Sequence, residues 1–146
     1  MSNLSHLERW ATPLLEKLEP AARKTLARTL ATELRRNNRK RIADQQNPDG
    51  SAFTPRRSEA KAGRIKRQAM FQKLRLAKHL KTKYNANSAS IGFFGDVARI
   101  ARTHHYGLRD RTRRGGPEVQ YDPRELVGFS ASDIKMIESK LMEHLL

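Results

Sequence analysis

The sequence predicts an α+β fold: long basic N-terminal helices and a C-terminal helix packed against a small antiparallel sheet. Three observations lead there. Leu4, Leu7, Trp10, Leu14, Leu15 and Leu18 recur at spacings of three and four, and Leu26, Leu30, Leu34 and Ile42 form a second stripe; both patterns belong to amphipathic helices. Between Lys81 and Phe94 the pattern becomes that of two short strands around Asn85-Ala86-Asn87. Beyond Ser130 the helical period returns through Ile134, Ile137, Leu141 and Leu145.

The elements follow in chain order. Pro13 stands inside the first apolar stripe, where a kink or restart is expected because proline removes a ladder donor. Pro20 suits the first turn of a second helix, running from Ala21 to about Gln45. Asn47-Pro48-Asp49-Gly50 ends it with type I turn chemistry. Residues 51–57 read as extended, and Pro55 confines them to an edge. A third basic helix is expected over Glu59 to Leu80, turning Ile65, Ala69, Met70, Leu74, Ala77 and Leu80 inward. Strands at Lys81–Tyr84 and Ser88–Phe94 come next, then a short helix from Gly95 and Asp96 through Val97, Ile100 and Ala101. Gly107 suits the left-handed position that closes a helix, and a histidine before it suits the negative helix end. "RDRTRRGGPE" has the composition of a mobile basic loop. "VQYDPRELVGFS" reads as a strand or extended segment, and Ser130 or Ser132 caps the last helix. The organisation expected is one domain over 1–146. It comprises a helical arm (1–46), a helix and small sheet carrying the basic loop near 109–116 (47–128), and the C-terminal helix (129–146).

Composition narrows the function. With 37% hydrophobic and 6% aromatic residues over 146 positions, the core is lean and much surface is left for partners. The formal charge is +15, from 30 Lys+Arg against 15 Asp+Glu, which favours phosphate backbones or acidic protein surfaces. The charge is uneven: residues 23–114 are almost wholly basic, whereas acids outnumber bases from Glu118 onward. A basic body with an acidic tail can meet unlike partners or further copies of itself. Cysteine is absent, which excludes disulfides, zinc ribbons and thiol nucleophiles and suits a reducing cytosol. No apolar run approaches the roughly 20 residues that span a bilayer, and residues 1–15 lack a signal-peptide core. A soluble, intracellular protein without membrane contact is expected.

"ARTHHYGLRDRTRRGG" (101–116) is the stretch that most invites a catalytic reading. His104 and His105 are adjacent, so they point in different directions and do not readily ligate one metal together. No H-E-x-x-H pattern or carboxylate cluster accompanies them. The expectation is therefore no catalytic residue, no metal and no cofactor: one histidine packs at the helix end and the other makes a hydrogen bond at a turn. Nucleic-acid binding is the rival. Arg35, Arg36, Arg39, Lys40 and Arg41 form one basic run, and Arg56, Arg57, Lys61, Arg64, Lys66 and Arg67 a second. These suffice for phosphate neutralisation without sequence reading, so a non-specific nucleic-acid-binding accessory or regulatory protein is the alternative.

The order of motifs is more specific than any one of them. "RKRIADQQNPDGSAFTPR", "MFQKLRLAKHLK", "IGFFGDVARIARTHHYGL" and "YDPRELVGFSASDIKMIESKLMEHL" together resemble the phage virion morphogenesis, or tail-completion, family of Mu-like and related contractile-tailed phages, from Ala21 to Leu146. The likeness rests on Asn47, Pro48, Asp49, Gly50, Phe53, Pro55 and Arg56, on Arg99 to Arg102 with His105, Tyr106 and Gly107, and on Tyr121, Arg124, Glu125, Leu126 and Gly128. It implies a structural assembly protein without enzymatic activity, which finishes the tail or joins it to the head as a ring of copies. Its partners would be other tail or neck proteins and itself, with possible non-specific DNA contact in the neck channel. Its place would be the host cytoplasm during assembly, then the virion. The residues expected to make assembly contacts are Asn47 to Gly50, Arg56, His105, Tyr106, Gly107, Arg109, Arg111, Arg113, Arg114, Arg124 and Glu125. Arg124 and Glu125 are expected as a buried or inter-subunit ion pair, and the basic loop as an element that orders on assembly.

Overall fold

Pro20 opens the longest helix, where its missing N–H costs nothing, and alanines and leucines alternating with arginines carry that helix to Ala43. The structure is a computed structural model describing residues 2–55 and 69–146. Its elements are α1 (Ser2–Leu15), α2 (Pro20–Ala43), β1 (Leu80–Tyr84), β2 (Ala89–Phe93), α3 (Val97–Tyr106), β3 (Arg109–Arg111), β4 (Glu118–Gln120) and α4 (Ala131–Leu145). The fold is α+β, and the strands form two separate two-stranded sheets, β1-β2 and β3-β4. By its contacts the chain divides into two compact units: residues 1–37, 82–92 and 129–146 in the first, and 38–81 and 93–128 in the second.

In the first unit α1 packs on α4. Ala11, Leu26 and Leu141 are buried at its centre, with Trp10, Leu15, Leu18, Leu30, Ile137 and Leu145 around them, so the leucine spacings place the core as expected. Pro13 neither restarts nor divides α1. The helix ends two residues later, with the Glu16 N–H still reaching the Thr12 carbonyl at 3.1 Å. Ser130 is the cap of α4 and forms a full capping box. Its Oγ accepts from the Asp133 N–H at 3.0 Å, while the Asp133 carboxylate accepts from the Ser130 N–H at 2.9 Å. Asp133 is fully buried, and its other oxygen accepts from the Asn37 amide at 2.7 Å. At the tip joining β1 to β2, the Asn85 side chain accepts from the N–H groups of Asn87 and Ser88, the turn role that its short amide suits.

The second unit has its own core of Ile42, Phe53, Met70, Leu80, Ala101 and Leu126, joined by Phe71, Leu74, Phe93 and Val127. Here the expected third helix is corrected. Residues 59–68 lie outside the described residues, and residues 72–79 form successive turns that deliver Leu80 into β1. The cause lies at Met70 and Phe71. Gln45 clamps Met70 at both backbone groups: its Oε1 accepts the Met70 N–H at 2.7 Å, and its Nε2 donates to the Met70 carbonyl at 2.8 Å. Phe71 has φ 65°, a left-handed conformation that ends a right-handed helix. Of the residues expected inward, Met70 and Leu80 are buried and Leu74 is half-buried, whereas Ala69 and Ala77 are exposed.

The basic stretch after α3 is also corrected. Residues 109–111 and 118–120 pair antiparallel, Arg109 opposite Gln120 and Arg111 opposite Glu118, so this is a β-hairpin rather than a structureless loop. Its turn is closed by the Thr112 N–H to the Pro117 carbonyl and the Gly116 N–H to the Arg113 carbonyl. Asp110 pins the hairpin to α3, accepting from Arg99 at 2.7 Å and from the Thr103 hydroxyl at 3.4 Å.

Candidate functional site

Every described residue expected to make assembly contacts falls in the second unit, and Asn47, Pro48, His105, Gly107, Arg124 and Glu125 meet in or against one irregular segment, residues 121–128. Asn47 is the first anchor. Its carbonyl accepts from the Gly50 N–H at 2.9 Å, which closes the Asn-Pro-Asp-Gly turn, and its side-chain oxygen accepts from the Glu125 N–H at 2.9 Å. The turn thus holds a segment 78 residues away in sequence. Asp49 stiffens it by accepting from the N–H and hydroxyl of Ser51. The hydroxyl first, then the N–H, holds its carboxyl below the ordinary 3.8. Pro48 fills the space at Gly128, where a Cβ would stand 2.7 Å from the proline ring.

The end of α3 is the second anchor. Gly107 takes the left-handed conformation expected of it, φ 66°, and its N–H and that of Leu108 both go to the Thr103 carbonyl. It also lies so close to Pro123 that a Cβ would come within 2.7 Å of backbone. The His104 carbonyl accepts from the Arg124 N–H at 2.8 Å, and His105 Nδ1 accepts from the Leu126 N–H at 3.2 Å. Burial pushes the His105 pKa below 6.5, opposed by the nearby Glu125 carboxylate; the imidazole is neutral, as an accepting Nδ1 requires. His104 turns the other way, edge-on to Phe71 and Tyr121 with ring centroids at 5.0 and 4.6 Å. Tyr106 is exposed and meets the His105 ring at 4.6 Å.

Arg124 is the third anchor. Its buried guanidinium donates to the carbonyls of Thr54 at 2.7 Å and Pro55 at 3.1 Å. Glu125, beside it, is exposed and serves the fold through its N–H. Arg56, with the second basic run, lies outside the described residues. From the first run, Arg36 pairs with Glu33 at 3.1 Å on the surface, and Arg41 donates to Asn38 and to the Gly128 carbonyl. In the hairpin, Arg109 stands 3.8 Å from Glu118, Arg111 donates to the Gly116 carbonyl, and Arg113 and Arg114 are exposed at the turn.

Three contributors escaped the sequence reading. Asn38 is fully buried and accepts from the Gly128 N–H at 2.9 Å, yet within an arginine-rich helical run it looks like surface. Gln45 clamps Met70, as described above. Asp110 has its carboxyl held below 3.8, chiefly by the Arg111 N–H with Arg99 and Thr103 adding. Only Asp110 had a signal, a lone acid among six arginines between Arg99 and Arg114. Among the described residues, no group of three or more histidine, aspartate or glutamate side chains is placed to hold a metal ion. Among the described residues, too, no helix is long and apolar enough to cross a membrane.

Comparison with known proteins gives one consistent result. The phage virion morphogenesis family matches residues 2–146. Tail completion protein S of Escherichia phage P2 is 35% identical over 149 residues, covering 99% of both chains. No solved structure matches.

Proposed function

This chain belongs to the phage virion morphogenesis family, and on that premise we propose that it is a structural tail-completion protein that finishes the tail and enables head-tail joining, working by protein contacts as a ring and not as an enzyme. One observation carries the reading: the identity to a tail completion protein runs the full length of both chains. The geometry of the second unit supports it. The residues of the family motifs hold backbone to backbone: Asn47, His105 and Arg124 each spend polar atoms on main-chain partners. What faces outward is a basic hairpin and an exposed tyrosine, suited to contact rather than to chemistry. Its working partners are other tail or neck proteins, in the host cytoplasm and then in the virion.

Removing the chain from the phage that encodes it tests this. Lysates viewed by electron microscopy should hold filled heads and separate tails, and plasmid-supplied protein should restore whole particles. Normal particles without the chain would end the proposal. The formal charge of +15 favours a second reading, non-specific DNA contact. That reading predicts duplex binding whose logarithm falls linearly with the logarithm of salt, without sequence preference.

A further inference from the structure

The β3-β4 hairpin has two strands and therefore two outer edges. Leu108 and Tyr121, and likewise Thr112 and Pro117, are joined by hydrogen bonds across the hairpin. By the alternation of an antiparallel ladder, Asp110 and Val119 turn their backbone groups inward, while Arg109, Arg111, Glu118 and Gln120 turn theirs outward. The edges are chemically unlike. On β3 the outward Arg111 N–H is already taken by the Asp110 carboxylate at 2.8 Å, which leaves that edge richer in acceptors and lined by arginines. On β4 the outward N–H groups belong to Glu118 and Gln120, and the side chains include Glu118.

Beside β4 lies a groove of about 1010 Å³, walled by Met70, Phe71, His104, Tyr121 and Arg124. It is lined by every residue from Pro117 to Asp122. Successive strand residues face opposite sides, so a space touching all of residues 117–122 reaches the outer edge of β4 as well as the hairpin face, where Arg109 and Thr112 also line it. Among the described residues no further strand pairs with β4, and an unpaired edge beside such a groove is a template for another strand.

We propose that β3 of a second copy of this chain adds to the outer edge of β4, joining neighbours head to tail through a continuous sheet. Charge selects this occupant: Glu118, which its own exposed Arg109 approaches only to 3.8 Å, would also meet Arg109 and Arg111 of the incoming strand, whereas β4 on β4 brings Glu118 toward a second Glu118. The contact is heterologous, the kind that closes into rings. Around an axis lying along the strands, every copy keeps its strand direction, so the neighbour's β3 meets β4 antiparallel. The inference rests on the ring reading above and supplies its seam.

The chain has no cysteine, so single-cysteine proteins crosslink without background. Arg111→Cys protein is mixed with Glu118→Cys protein, and separately with Gln120→Cys protein, under mild oxidation. Disulfide-linked mixed dimers should dominate in one of the two mixtures. Gln120→Pro removes an outward N–H together with the side-chain bond from Gln120 Nε2 to the Gly107 carbonyl at 2.6 Å, so Gln120→Ala, which loses only the side-chain bond, is its control. Native mass measurement should show loss of self-association for Gln120→Pro and not for Gln120→Ala, at matched thermal unfolding midpoints. Crosslinks confined to one cysteine protein with itself would overturn the proposal in favour of a two-fold contact. Wild-type oligomers without mixed dimers, undisturbed by Gln120→Pro, would overturn the seam and leave the ring standing. A monomer at every concentration would overturn both.

Discussion

Gly107 shows how much one position can fix. Its conformation closes α3, and its missing side chain lets Pro123 approach, so the segment bearing Arg124 and Leu126 passes directly against the helix end. Gly107→Ala imposes left-handed strain and a backbone clash together, and should destabilise the chain by about 1–3 kcal/mol in denaturant unfolding. His105 gives the same junction a pH dependence. Its pKa in the fold is depressed below 6.5, so the unfolded chain binds the proton more readily. The stabilisation is complete above 6.5 and is lost as pH falls through the folded value. Thermal unfolding midpoints should therefore drop from pH 7 toward pH 5 more steeply for the wild type than for His105→Gln. Equal slopes would remove His105 from the account. Both residues were legible as a helix stop followed by a turn. The partner of the His105 ring was not, because the Leu126 N–H lies 21 residues away in sequence.

The elements divide by how local their causes are. α4 was readable because cap, first-turn acid and apolar period all sit within its own residues. Ser130→Ala opens its capping box and should cost about 1 kcal/mol, read as a lower unfolding midpoint and faster amide exchange in the first turn of α4. Unchanged exchange there would mean that Asn37 and burial alone hold Asp133. The β1-β2 hairpin was readable for the same reason, since Asn85 makes its own turn. Within the described residues 69–80, the expected third helix gave way where the decision was not local. The spacing of Met70, Leu74 and Leu80 fits a helix, but Gln45 takes both backbone groups of Met70 and Phe71 turns left-handed. The hairpin of β3 and β4 was hidden by its composition. Arginines and glycines suggest a loop, and the pairing is set by strand partners and by Asp110 on α3, which periodicity does not see.

At the scale of the whole molecule, the order of motifs was more informative than their chemistry. Asn-Pro-Asp-Gly, His-Tyr-Gly and Arg-Glu-Leu are separated by tens of residues, yet the fold brings them together around residues 121–128. Sequence could list these pieces but not the contacts between them, because each contact pairs a side chain with a distant main-chain group. The two adjacent histidines illustrate the outcome: one packs among rings and the other accepts a backbone N–H. The polar groups gathered there stabilise a shape, and a basic hairpin is presented from it. The central claim is that this shape enables heads and tails to join, and the most direct measurement is reconstitution. Heads and tails from a lysate lacking the chain are mixed with the purified protein and counted by electron microscopy. The account predicts joined particles only when the protein is added; heads and tails that join equally well without it would contradict it.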